Sequence, residues 1–188
     1  MRIKDEAFIR GNVPMTKEEV RTVSLSKLDL KQDDIFLDIG AGTGSVSIQA
    51  GTEIKKGQLH AIEINTEACQ LIEANCQKFG IQNLTLYPGD AVEQLEQIPR
   101  QVPKVFIGGT KGKMDAIFET LESFRDLKRV VITSITTGTL QNAIEILHRY
   151  DYQDIEIITM QINRTKAIRA NYMLQAENMI FIISAGKE

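Results

Sequence analysis

Asp38, Gly40, Gly42 and Gly44 stand together in 35-IFLDIGAGTGSVSIQA-50, an apolar run followed by glycine at every second position. Glycine lets a backbone pass close to a ligand where a Cβ would stand in the way. A turn of this kind after a strand suits a nucleotide-like cofactor. The dinucleotide fingerprint would need a glycine at position 45, where Ser45 stands, and no Gly-Lys-Ser/Thr follows to make a P-loop. The Asp38 carboxylate is also awkward for a pyrophosphate, because like charges repel. It suits a ligand that carries an amine or a cationic centre.

The elements that must position this turn follow from periodicity. IFLDI (35–39) reads as a buried strand, and a helix leaves the turn from Ser45 to about Glu53. Strands follow at 59–64, 84–90, 104–109 and 129–135, separated by helices at 66–79, at 91–98, around Met114–Leu121 and around Leu140–Leu147. The 66–79 helix should stop at Gly80. Ahead of them, TKEE fits a capping box with Thr16 as N-cap of a helix running from about Lys17 to Leu28. Five strand–helix alternations imply a parallel sheet with helices on both faces. The last strands, 155–162 and 179–185, have no helix between them and can pair only antiparallel. The segment between them, which includes 163-NRTKAIRANY-172, is too long for a tight hairpin and is expected to be an irregular basic loop. Ligands of such sheets sit at the carboxyl ends of the strands.

Composition narrows the function. The 188 residues suit one α/β domain, and 43% hydrophobic with 25% charged residues is a globular balance. A net charge of −3 argues against a dedicated nucleic-acid binder. No apolar run of about 18 residues is present to span a membrane, and the first residues lack the apolar core of a signal peptide, so a cytoplasmic protein is expected. Cys69 and Cys76 lie roughly 10 Å apart along one helix and cannot bridge each other. They read as reduced core thiols. His60 and His148 are isolated, and no metal site is expected.

DIGAGTG resembles the first motif of the Rossmann-like methyltransferases that use S-adenosylmethionine. The resemblance implies that Asp38, Gly40, Ala41, Gly42, Thr43 and Gly44 hold that cofactor. Glu63, at the end of HAIEIN, would accept both ribose hydroxyls, and Asp90 with the Ala91 backbone, in PGDA, would read the adenine edge. Thr16 would meet the cofactor's amino-acid end while capping its helix. The fold implied is α/β and Rossmann-like: a seven-stranded, mostly parallel sheet with a C-terminal antiparallel strand and helices on both faces.

Over essentially its whole length the chain is similar to the decarboxylating precorrin methyltransferases of cobalamin biosynthesis. Three stretches carry this: the lead-in DEAFIRGNVPMTKEEVR, the turn 107-IGGTKG-112 and the late NRTKAIRANYMLQAENMIFIISA. The resemblance implies methylation of carbon fifteen of a tetrapyrrole, loss of carboxyl from an acetate arm on ring C, and a homotetramer. A ring rimmed with carboxylates calls for a broad cleft with Arg and Lys at its edge. The substrate-binding candidates are Gly108 and Gly109 in the fourth-strand turn, with Arg10, Lys111, Lys113, Arg164, Lys166 and Arg169 as cations; the basic loop would close over the substrate. No catalytic acid or base is singled out. An RNA or other small-molecule methyltransferase, and a non-catalytic cofactor-binding protein, are the alternatives.

Overall fold

The structure, a computed structural model, describes residues 2–169 and 171–187. Its main sheet takes β1 (Ile35–Ile39), β2 (Gln58–Glu63), β3 (Leu84–Pro88), β4 (Lys104–Ile107), β5 (Arg129–Ser134), β6 (Gln153–Met160) and β9 (Ile180–Gly186). The spatial order is β3-β2-β1-β4-β5-β9-β6. β1 pairs in parallel with β2 on one side and β4 on the other, while β9 runs antiparallel between β5 and β6. The order therefore reverses between β1 and β4. Crossovers leave those two strands in opposite directions and open a crevice at their carboxyl ends.

Helices α1 (Glu18–Leu28), α2 (Ser45–Gly51), α3 (Thr66–Phe79), α4 (Ala91–Leu95), α5 (Met114–Leu121) and α6 (Thr137–Arg149) cover the two faces. The period of two in the strands decides which residues meet which helices. Phe36, Phe106 and Val131 turn to the face shared with Val20, Leu25 and Leu28 of α1 and Val46 of α2. Leu37, Ile39, Val105, Ile107, Val130 and Ile132 turn to the other, against Ile117 and Phe118 of α5 and Ile146 and Leu147 of α6. Each such side chain contributes about 1.5–3 kcal/mol on burial. This is why both faces of the strands read as continuous apolar runs.

Local signals set most boundaries. Asn65 caps α3, its side chain accepting from Ala68 N, and Gly80 closes that helix in the left-handed conformation, φ 66°. Two expectations are corrected. Thr16 does not cap α1: Lys17 holds that position and no side chain caps it. The Thr16 carbonyl is instead taken by the Arg21 guanidinium, and Glu19, which would complete a capping box, is drawn away to Arg164. The segment after β6 is not an irregular loop either. β7 (Asn163–Ile168) and β8 (Asn171–Ala176) form an antiparallel hairpin separate from the main sheet, with Ile168 paired to Asn171. Arg169 begins the reversal at φ 53°, the left-handed conformation that a tight turn needs.

Candidate active site

A cleft of about 1170 Å³ opens at the carboxyl ends of β1, β2, β4 and β5. Gly40, Ala41 and Gly42 form part of its wall. Gly40 N and Ala41 N donate to the Ile62 carbonyl, and Gly42 N donates to Glu63 Oε2 at 2.7 Å. Glu63 Oε1 accepts from Asn65 N at 2.8 Å. One carboxylate thus joins the glycine turn to the start of α3 and still has lone pairs for hydroxyl donors in the cleft. Beside it Ile64 is 43% exposed, an apolar surface of the kind a flat ring covers.

The three glycines of the turn are required for three different reasons. A Cβ on Gly40, φ 73°, would stand 2.5 Å from the Gly109 carbonyl oxygen. The turns after β1 and β4 therefore lie backbone against backbone. A Cβ on Gly42, φ 57°, would stand 2.9 Å from the Pro14 carbonyl oxygen of the lead-in. A Cβ on Gly44, φ 76°, would press on Ile72 of α3. Only the first two of these glycines line the cleft; Gly44 serves helix packing.

Asp38 and Thr43 differ from expectation in the same way. Both are wholly buried, and neither lines the cleft. Asp38 Oδ2 accepts from Ser47 N and Oγ, at 3.1 and 2.6 Å, and so ties β1 to the first turn of α2 beneath the glycines. Its other oxygen has no hydrogen-bond partner. Burial outweighs the Ser47 bonds and pushes this carboxyl up to about 7. An acid inside the turn is aimed at the strand–helix junction because Ser47 donors, not solvent, lie next to it.

Asp90 caps α4, with Oδ1 accepting from Val92 N, and Oδ2 receives Lys113 Nζ at 2.8 Å. The Lys113 contact holds this carboxyl below its usual range. Thr16, Ala91, Gly108, Gly109 and Lys111 all line the cleft. Arg10, Arg164, Lys166 and Arg169 do not. Arg164 is spent on Glu19, at 2.8 Å, and Glu177, at 2.7 Å, joining the hairpin to α1. Those two contacts raise its own proton affinity further, while the Arg164 bond lowers that of Glu19. Lys166 lies on the hairpin, with Arg169 at its tip, and neither lines the cleft.

Sequence reasoning also missed part of the wall: Lys17, Ile64, Thr133 to Thr136, Thr139 and Asn178 line it. The rule that ligands gather at strand ends pointed to β5 as strongly as to β4. The signal was present in TSITTGT, but no charged residue marked it. Among the described residues no group of three or more His, Cys, Asp and Glu is placed to hold a metal, and no helix is long and apolar enough to cross a membrane.

The donor set fits an adenosyl-type cofactor. Glycine backbone, a carboxylate facing the cleft at the second strand end, an apolar shelf beside it and a helix-capping acid at the third lie along one wall. The sheet order with its antiparallel β9 and this wall together define a Rossmann-like methyltransferase. The model of the precorrin methyltransferase domain matches residues 6–187. The cobalt-precorrin-6B C(15)-methyltransferase (decarboxylating) of Salmonella typhimurium is 35% identical over 188 residues, covering 99% of this chain and 96% of that protein. The crystal structure of a precorrin-6y C5,15-methyltransferase from Geobacter metallireducens superposes with a TM-score of 0.91 at 35% identity, covering 100% of this chain and 97% of the other. The precorrin 8w decarboxylase of Methanobacterium thermoautotrophicum gives 0.90 at 30% identity, covering 98% and 100%. The chain belongs to the precorrin methyltransferase domain family. It is a methyltransferase enzyme, and S-adenosylmethionine is its methyl donor.

Glu63 gives a direct test of the cofactor wall. Glu63→Ala should weaken S-adenosylhomocysteine binding by about 1.5–3 kcal/mol, the range for hydrogen bonds to a charged group. Isothermal calorimetry reads this, with Glu63→Gln as the isosteric control. An unchanged dissociation constant for the alanine variant would remove Glu63 from the cofactor site.

Proposed function

We propose that the protein methylates carbon fifteen of cobalt-precorrin-6B and decarboxylates an acetate side chain of that macrocycle, as a step of cobalamin biosynthesis. The observation that carries this reading is the part of the same cleft that lies at the ends of β4 and β5. Gly108 and Gly109 line it, and a Cβ on Gly109 would meet nothing within 4 Å. Ile107, Ile132, Ile135, Ile162 and Ile180 line it. An apolar space lined in part by glycine suits a broad, flat ring.

In this reading Gly40, Ala41, Gly42, Glu63, Asp90 and Ala91 hold the cofactor, with Thr16 at its amino-acid end. Asp38, Thr43 and Gly44 hold the turn in shape from beneath. S-adenosylmethionine supplies a methyl group already activated on a sulfonium. The nucleophile is an electron-rich ring carbon, so the protein needs no strong base; it holds carbon, methyl and sulfur in line. Decarboxylation breaks the bond between the acetate methylene and its carboxyl carbon. The electron pair passes into the conjugated ring, and a proton replaces the lost carbon dioxide. The acids of the cleft are placed for binding: Asp90 is paired with Lys113 and Glu177 with Arg164.

Incubation of the purified protein with S-adenosylmethionine and cobalt-precorrin-6B tests the proposal by mass spectrometry. The expected product has gained one methyl and lost one carbon dioxide. Methylation without decarboxylation would remove the second half of the proposal, and an unaltered substrate would remove all of it.

The same reading includes a homotetramer. The β7–β8 hairpin exposes Tyr172 at 78%, Leu174 at 68% and Met173 at 47%. A lone two-stranded hairpin is marginal in water, so partner copies supply the missing cover. Light scattering after gel filtration should give a tetramer, and Tyr172→Lys with Leu174→Lys should give smaller species. A wild-type monomer at micromolar concentration would overturn this assembly.

A further inference from the structure

The cations around the cleft divide into two groups. Lys113 and Arg164 are neutralised within the chain, by Asp90 and by Glu19 with Glu177. Lys17 and Lys111 line the cleft, and among the described residues neither has a carboxylate within salt-bridge distance. The acids beside Lys17 in sequence are committed elsewhere, Glu18 to Arg2 and Glu19 to Arg164. Two uncompensated positive charges from different elements therefore face the same space.

Local structure favours neither lysine where it stands. Lys17 occupies the N-cap of α1 and makes no capping bond. Serine, threonine, aspartate or asparagine would be better there, and a cation is repelled by the positive end of the helix dipole. Lys111 holds φ 47°, a conformation that glycine or asparagine adopts more cheaply. Such costs persist where the side chain is needed in place.

We propose that Lys17 and Lys111 are the pair of cations that reads the substrate's acid arms, one binding a carboxylate from the N-terminal side of the cleft and the other from the β4 turn. This rests on the tetrapyrrole reading above and names the residues that recognise that substrate. Lysine suits this role, because a compact charge on a flexible stem follows acetate and propionate arms that are themselves flexible. The apolar part of the cleft would then take the ring, while these two charges fix its orientation and so choose which ring carbon meets the methyl group.

The probe is uroporphyrin, an unreactive macrocycle with acetate and propionate arms, titrated by its absorbance shift in the presence of S-adenosylhomocysteine. Lys17→Gln and Lys111→Gln should each weaken binding about tenfold or more, the loss expected for one charge-assisted contact. Together they should approach about a hundredfold if the contacts are independent. Lys17→Arg and Lys111→Arg should recover most of the affinity. Rising salt should weaken the wild type more than the double variant. Calorimetry with S-adenosylhomocysteine should give the same affinity for all variants, which separates lost recognition from a lost fold. A double variant that binds uroporphyrin within about twofold of the wild type would overturn the pair. A wild type that binds neither uroporphyrin nor cobalt-precorrin-6B would instead bring down the tetrapyrrole reading, and the pair with it.

Discussion

Gly42→Val should abolish binding of S-adenosylhomocysteine, with a loss of at least about a hundredfold. The backbone at Gly42 has φ 57°, where a β-branched residue is strongly disfavoured. The added Cβ would also lie 2.9 Å from the Pro14 carbonyl oxygen. That oxygen belongs to a main chain held down by its neighbours, not to the free end of a side chain. The turn or the lead-in must move, and both line the cleft. Gly42 N would then lose its 2.7 Å bond to Glu63, so the carboxylate proposed to hold the cofactor moves as well. Calorimetry measures the loss, and circular dichroism shows whether the sheet survives. Affinity within a few-fold of the wild type would mean that the glycine turn is not the cofactor's seat.

Arg21→Met should have the largest effect on stability. The Arg21 side chain is wholly buried. Its Nε donates to Gln49 Oε1 at 2.7 Å, and its terminal nitrogens donate to Asp5, to the Thr16 carbonyl and to the Ile3 carbonyl. The guanidinium also lies over the Phe8 ring, 4.8 Å from its centroid. Burial lowers its proton affinity, and the Asp5 contact works against that shift. Methionine would fill much of the volume while taking the guanidinium's donors from an acid, an amide and two carbonyls. Removing one partner from such a buried set destabilises by about 3–5 kcal/mol. For a chain of this size that corresponds to a melting temperature lower by roughly 6–20 °C. Differential scanning calorimetry reads it, and a fall of less than about 3 °C would contradict the role given to Arg21. Arg21→Lys should not restore the loss, because one ammonium cannot span four acceptors spread around a planar fork. Thr16 stands in the cleft wall, and its carbonyl is one of those acceptors. The same variant should therefore also bind the cofactor more weakly.

Much of the architecture was legible in the sequence because its causes are local. Apolar runs bounded by turn residues specify strands that are buried on both faces. Asn65 and Gly80 mark the ends of α3 by side-chain capping and by left-handed backbone, which need only neighbouring residues. The connection from β6 to β9 holds no helix, only the β7–β8 hairpin, and the two strands pair antiparallel as their sequence implied. Glycine spacing and the strand-end acids Glu63 and Asp90 pointed to the cleft without any coordinates, whereas Asp38 lies beneath it. The same local reading failed at Thr16, whose capping-box pattern was overridden by a guanidinium from the next turn. It failed again at 163–172, where a basic and polar composition concealed a hairpin.

What the tertiary structure decided depends on distance in space rather than in sequence. Only the packing of β1 beside β4 shows that Gly40 is glycine because Gly109 lies against it, and that Gly44 is glycine because of Ile72. Only burial shows that Asp38 points beneath the turn. Arg164 and Glu19 are 145 positions apart, so no pattern could reveal that this cation was already spent and that Lys17 and Lys111 were not. Charge is read from composition one residue at a time. Whether it is available to a ligand depends on which opposite charge the fold brings within reach.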